Sequence, residues 1–502
     1  MLKNNSDVID EEKDSGDNYI HELKIPIMEI DTLNPILTYN VQVSNLLGLI
    51  YEPLVEIGKD DSLEACLATE WAEKDDTNWI IKLRRGVKWH NGNNFTSDDV
   101  VFTFGQLVSG DISSPYRDNL KNVISVEAID DYSVSVTLSQ KDEFFVYKLA
   151  IPIIPEYYFK NGEILNENKN NIPVGTGPYK YISTNVGKDL LKLEFNNAWW
   201  NNGGEIRLNT IYLYKYSTYG EAIKAYKSAD VDLIVTTMSD WEKKFGTIGN
   251  NVYSYESSVF DTIIPNIEKL ALSDASVRKA ILFAINRENI VSKVFSSNAT
   301  VVDLPIHTRS KNFLSSIQSE YDLDKAKQVL INAGWAWNGS WSKSISGTSC
   351  ELKFNLLVNK ENDEHVAAAE AIKSNLADLG VPITIKEVGW DDYQKAIGKG
   401  KFDLAISSFD IKNELTILEI LEENGSMNYS KYASEKMNVA IEKVRKWYTA
   451  ESMQELQNIY KSDTPYIGLY FRNNTLLTNK SVKGSIEPTW FNPYEGVITW
   501  CK

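Results

Sequence analysis

An α/β fold in more than one domain is what this chain predicts, and three observations carry the reading. The first half is patterned for β-hairpins: Val123 to Ile129 and Ser133 to Leu138 flank a turn at Asp130 and Asp131. The second half changes period. Leu352, Phe354 and Leu356 alternate as a strand does, Asp363 to Leu379 is an alanine-rich helix stopped by Gly380 and Pro382, and Ile383 and Ile385 alternate again. That is strand–helix–strand, the βαβ unit of a mainly parallel sheet. Finally, 502 residues, 43 % hydrophobic and 24 % charged, suffice for several packed cores at about 150 residues each.

The elements follow in order. Met1 to Asp17 is polar and acidic without an apolar stretch, so residues 1–18 are expected to be a disordered leader rather than a signal peptide. Asn78 to Leu83 and Val87 to Trp89, separated by Arg84, Arg85 and Gly86, read as a hairpin, and His90 to Asn94 is turn chemistry. Thr96 and Asp99 form a capping box for a helix with Val100, Val101, Phe104 and Leu107 on one face. Ser273 is expected to cap a helix through Val277, Ala280, Ile281 and Ala284. Asp322 is expected to cap another, carrying Ala326, Val329, Leu330 and Ala333 and ended by Gly334. No internal repeat is visible.

The chemistry is mostly one of exclusions. The formal net charge of −17 argues against a nucleic-acid partner. No run reaches the roughly 18–20 apolar residues of a membrane span. Cys66, Cys350 and Cys501 show no CxxC spacing, and His21, His90, His307 and His365 do not pair at metal-ligand spacing, so neither a metal nor a cofactor is expected. No G-x-S-x-G elbow or H-E-x-x-H motif occurs. Gly175-Thr176-Gly177 opens like a dinucleotide loop, but Lys180 stands at the third-glycine position and Pro178 lacks the N–H such a loop needs. Paired carboxylates for glycoside hydrolysis have no positional signature. The expectation is a binding protein and not an enzyme. Its 13 Trp, 26 Tyr and 17 Phe suit ligand stacking as well as ordinary cores.

Leu67 to Leu107 adds a specific pattern: Leu67, Ala68, Trp71, Trp79, then Leu83, Arg84, Gly86, Val87, Trp89, His90, Gly92, Phe95, Thr96, Asp99 and Val100. It closely resembles the signature of the family 5 extracellular solute-binding proteins, receptors of peptide and nickel ABC importers. Asn94 replaces a usual proline and Ser97 a usual alanine. The likeness continues at Thr32-Leu33-Asn34-Pro35, Tyr51-Glu52-Pro53-Leu54, Val174 to Tyr179, Leu272 to Arg287 and Tyr321 to Trp335. It implies a type II periplasmic-binding-protein fold, two lobes closing as a hinge on a ligand. Lobe I would hold residues 19–44, 175–257 and 478–502, an extra hairpin-rich subdomain 45–174, and lobe II 258–477.

The same resemblance implies the site residues. Leu33 and Asn34 would face the ligand from lobe I, Tyr116 would stack on it from the extra subdomain, and Trp390 and Phe409 would line lobe II. Peptide receptors of this type present an aspartate just after that aromatic to clamp the peptide ammonium. Aligned without gaps, the position is Lys412, in Phe409-Asp410-Ile411-Lys412-Asn413-Glu414. Asp410 or Glu414 could take the role, the ligand could be anionic or lack a free amine, or Lys412 could point to solvent. The expected function is an extracytoplasmic receptor, periplasmic or a surface lipoprotein whose anchor is not in this sequence. As a monomer it would deliver an oligopeptide or peptide-like solute to an ABC permease. A non-peptide ligand (a nickel chelate, an oligosaccharide, haem or a small anion) and a sensor without transport are the alternatives.

Overall fold

The computed structural model describes residues 21–142, 144–185, 190–246 and 249–502; the expected leader lies outside them. Two long strands organise the molecule. Asn250–Pro265 runs from the first lobe into the second, and Ile467–Asn479 returns antiparallel beside it. Asn250 to Glu256 pair with Asn473 to Asn479, and Phe260 to Ile263 pair with Ile467 to Phe471, with an irregularity between Glu256 and Phe260. Unpaired residues interrupt a ladder and let it bend, and this break falls where the strand passes from one lobe toward the other. On the return strand, Thr475 to Thr478 pair with the first-lobe strand Leu233–Thr236, so first-lobe pairing begins ahead of the expected residue 478.

The first lobe is built on a sheet ordered Glu22–Ile27, Thr210–Lys215, Leu190–Phe195, Tyr179–Asn185. The 45–174 block adds a second four-stranded sheet, ordered Ala68–Asp75, Asn78–Leu83, Ser133–Leu138, Val123–Asp130. Both share one continuous core, in which Leu23, Ile25 and Leu213 join Trp79, Phe104 and Val136. The hairpin at Val123–Leu138 forms as the sequence implies. The one read at Asn78–Trp89 does not. Asn78–Leu83 pairs instead with Ala68–Asp75 and with Ser133–Leu138. Val87 and Trp89 alternate because both bury their side chains in the core, not because they pair with that strand. Asp99 accepts the Thr96 N–H at 3.0 Å, the backbone half of the expected box.

The glycines of Gly175-Thr176-Gly177 serve packing. Gly177 N–H donates to the Ile50 carbonyl at 2.9 Å, and a Cβ on Gly175 would lie 1.8 Å from that same oxygen. His90 grips the segment, its Nε2 3.0 Å from the Gly177 carbonyl and its Nδ1 accepting the Gly175 N–H at 3.3 Å. Burial holds the imidazole neutral, with a pKa lowered to about 4.

In the second lobe the crossing strands continue into Leu404–Asp410, Phe354–Asn359 and Ile383–Val388, the last two parallel and joined by the helix Asp363–Leu379. Helices cover both faces. Ala280, Leu330 and Ile372 pack on one, and Ile397, Ile441 and Leu456 on the other. The cap of Ala275–Ala284 is Asp274, whose carboxylate accepts the Ser276 N–H at 2.9 Å, while Ser273 ends the preceding helical turn. Both residue types cap helices, so the pair Ser273-Asp274 does not by itself say which one does. Asp322 caps Leu323–Asn332 as expected, accepting from Lys325 at 2.8 Å.

Candidate ligand site between the lobes

The strands Phe354–Asn359, Ile383–Val388 and Leu404–Asp410 end together at one edge of the second-lobe sheet, where helices begin. Strand carboxyl ends and free helix N-termini make such an edge the natural binding crevice of an open α/β sheet. Glu364, in the first turn of Asp363–Leu379, accepts a hydrogen bond at 3.0 Å from the Ser239 hydroxyl of the first lobe. The edge therefore faces the first lobe across the hinge.

Glu361, Trp390, Ser408 and Asp410 form this edge beside Glu364. Trp390 is 47 % exposed and stacks on Tyr393 with centroids 5.9 Å apart. Its backbone N–H donates to the Glu361 carboxylate at 3.2 Å. Ser408 donates to the buried Asp261, and Asp410 is exposed. Behind them a charge network ties edge to hinge: Arg472 on the return strand gives Nε to Asp261 at 2.9 Å and Nη1 to Glu364 at 2.6 Å. Burial pushes the Asp261 carboxyl up, but the hydrogen bond and charge of His365, with Arg472 and Ser408, hold it below the usual value. Exposed Glu361, Asp391, Asp392 and Asp410 stand at the edge, where Lys395, 3.8 Å from Asp392, and Lys412, 3.9 Å from Asp410, offset part of their negative charge.

Trp390 and Asp410 stand at this edge, and Lys412 follows it with its side chain 72 % exposed and 3.9 Å from Asp410. The other expected residues are elsewhere. Leu33 packs in the first-lobe core. Asn34 is fully buried, its amide donating to Asn170 Oδ1 at 3.0 Å and its Oδ1 accepting the Ile36 N–H at 3.2 Å, so it braces the turn and offers a ligand no surface. Tyr116 is half-buried against the first-lobe core, and that burial, only partly offset by the hydrogen bond to Ser44, raises its phenol pKa. Phe409 lies inside the second-lobe core, stacked on Tyr429 at 6.2 Å and edge-on to Tyr466 at 5.5 Å. Glu414 is 3 % exposed, with Asn312 donating to it at 2.8 Å. The motif strand has to bury alternate side chains to stand in the sheet, and Phe409 is one of those. Glu364, Ser408 and Ser239 were not legible as site residues. Only the strand-to-helix junction before Asp363 pointed toward Glu364.

Among the described residues, no group of three or more His, Cys, Asp or Glu side chains could hold a metal ion, and no helix is long and apolar enough to cross a membrane.

The comparisons with known proteins agree with this architecture. The model of the bacterial extracellular solute-binding proteins, family 5, matches residues 62–414, more than half of the chain. The oligopeptide-binding protein AppA of Bacillus subtilis (strain 168) is 26 % identical over 463 residues, covering 87 % of this chain and 83 % of that protein. Among solved structures, the periplasmic murein tripeptide-binding protein MppA in its unliganded open form superposes with a TM-score of 0.82, at 20 % identity over 96 % of this chain and 98 % of that one. The Bacillus subtilis AppA complex with a nonapeptide gives 0.62, at 22 % identity over 96 % and 99 %. On its sequence match and its two-lobed fold, this chain belongs to the family 5 bacterial extracellular solute-binding proteins.

Proposed function

We propose that the protein captures an oligopeptide or peptide-like solute between its lobes and hands it unchanged to an ABC importer, acting as a monomer on the extracytoplasmic side. Lobe I would comprise residues 19–44, 175–257 and the C-terminal segment, with 45–174 attached and 258–477 forming lobe II apart from its last residues, Thr475 to Leu477, which pair back onto the first lobe. The observation that carries the reading is the acidic, tryptophan-bearing sheet edge turned toward the first lobe in a chain of this family. An extended peptide would offer its ammonium to this edge and pair its main chain with the protein's, so affinity would depend little on its sequence. Ligand would then draw an existing open–closed equilibrium toward closure.

Mass spectrometry of the purified protein, native and then denatured, tests the ligand class. A spread of short-peptide masses is expected, and one non-peptide mass would overturn the peptide assignment. Lys412 favours a second reading, a ligand without a free amine, because its ammonium stands beside Asp410 and weakens the local negative field. Replacing Lys412→Asp should tighten binding of peptides with a free N-terminus by about 3–10-fold, on the order of 1 kcal/mol, and leave acetylated ones unchanged. Calorimetry showing the same change for both forms would remove Lys412 from the site.

A further inference from the structure

The 45–174 block touches the second lobe at a junction beside the hinge. Phe144 and Tyr147 set their rings edge-on against Tyr448, with centroids 6.3 and 6.1 Å apart. The Tyr147 phenol acts on the Tyr448 phenol it packs against, and Tyr448 donates onward to Glu414 Oε2. Asn312 donates to that same oxygen at 2.8 Å and to the Tyr448 hydroxyl at 3.0 Å. The Lys311 N–H reaches the Asp60 carbonyl at 3.4 Å, fastening the same segment to the turn Gly58–Ser62. One residue chain thus runs from the block, through Tyr448, to a carboxylate buried in the second lobe. The hinge is adjacent, since Glu256 of the outgoing strand accepts the Thr308 N–H at 2.9 Å.

The second carboxylate oxygen, Glu414 Oε1, is buried without a partner, and so is Asp61 Oδ2 on the block side. A buried carboxylate that faces neutral donors costs much more charged than protonated. The titratable and charged groups that face Glu414 are Tyr448 and Lys311 of the second lobe, Tyr147 of the block, and Asp61 of its turn, with Asp60 acting on Tyr147. The hydrogen-bond partners among them are neutral, and Asp61 adds repulsion.

We propose that this junction is a proton-dependent latch, in which the Tyr147–Tyr448–Glu414 chain holds the 45–174 block on the second lobe while Glu414 is protonated and releases it when Glu414 ionises. Burial, partly offset by the Tyr448 and Asn312 hydrogen bonds, lifts the Glu414 carboxyl to about 7. The latched state therefore binds the proton more tightly than a released state with an ordinary carboxyl. The latch is strongest in acid and is lost progressively as the pH rises toward about 7. It rests on the two-lobed fold and not on the identity of the ligand, so it is tested without ligand.

Spin labels at Glu127→Cys in the block and Lys436→Cys in the second lobe, in a Cys350→Ser background, report the separation by pulsed electron resonance. Between pH 5 and pH 8 the latched population is expected to fall by about tenfold. Glu414→Gln, neutral at both pH values, is expected to keep the pH 5 distances throughout. Tyr147→Phe, which keeps the ring and loses the hydroxyl, is expected to show the pH 8 distances already at pH 5. An unchanged distance distribution in the parent protein, or the same pH response in Glu414→Gln, would overturn the proposal. If Glu414→Gln does not fold, Tyr147→Phe decides alone, and a parent-like pH response there refutes the latch.

Discussion

Replacing Arg287→Met is expected to destabilise the second lobe by about 3–5 kcal/mol. Arg287 closes the stretch Ala284-Ile285-Asn286-Arg287 and is almost entirely buried. Its Nη1 meets Asp303 Oδ1 at 2.6 Å, the Gly468 carbonyl at 3.1 Å and the Val302 carbonyl at 3.3 Å, while Nη2 donates to the Ser319 carbonyl. Gly468 belongs to the return crossing strand, so one guanidinium joins a helix start, a loop and the strand that bears the hinge. Its loss strands the buried Asp303 carboxylate and leaves three carbonyls short of a donor. Arg287→Lys should recover only part of the stability, because a single ammonium cannot span the same fork of acceptors. Denaturant titration checks both variants. A loss below about 1 kcal/mol for Arg287→Met would show that the pair is not a fastening.

Gly175→Ala should cost about 3 kcal/mol or more and lower the yield of folded protein. The new Cβ would stand 1.8 Å from the Ile50 carbonyl oxygen, far inside contact distance and against backbone that cannot swing aside. The collision would also displace the Gly177–Ile50 hydrogen bond and the His90 clasp. Gly203→Ala is the control, since a Cβ there meets nothing within 4 Å. Equal melting temperatures for the two variants would mean that the close approach is relieved by local rearrangement.

Elements whose signals were local were legible in the sequence. The hairpin at Val123–Leu138, the helix cap at Asp322 and the βαβ unit at Phe354–Val388 each carry their period and their stop residues within one stretch of chain. Asn78–Trp89 misled because alternation marks burial as well as strand pairing, and Val87 and Trp89 alternate into a core. The candidate site was half legible. Trp390 and Asp410 stand at the sheet edge, but Asn34 and Phe409 are the buried supports of their motifs. Motif identity reports the scaffold that places a site as readily as the site itself. The network behind the edge was out of reach for another reason: Arg472 and Asp261 lie 211 residues apart and meet only because both crossing strands pass through the hinge. The Tyr147–Tyr448–Glu414 chain likewise joins two regions that nothing local in the sequence connects.

The proposed function requires two lobes that close on a peptide and leave it intact. Small-angle X-ray scattering of the ligand-free protein, repeated with a mixture of short peptides, tests it most directly when the peptides are recovered and weighed afterwards. A smaller radius of gyration with peptide present, and peptide masses identical before and after, are expected. An unchanged radius with saturating peptide, or shortened peptides in the recovered sample, would contradict it.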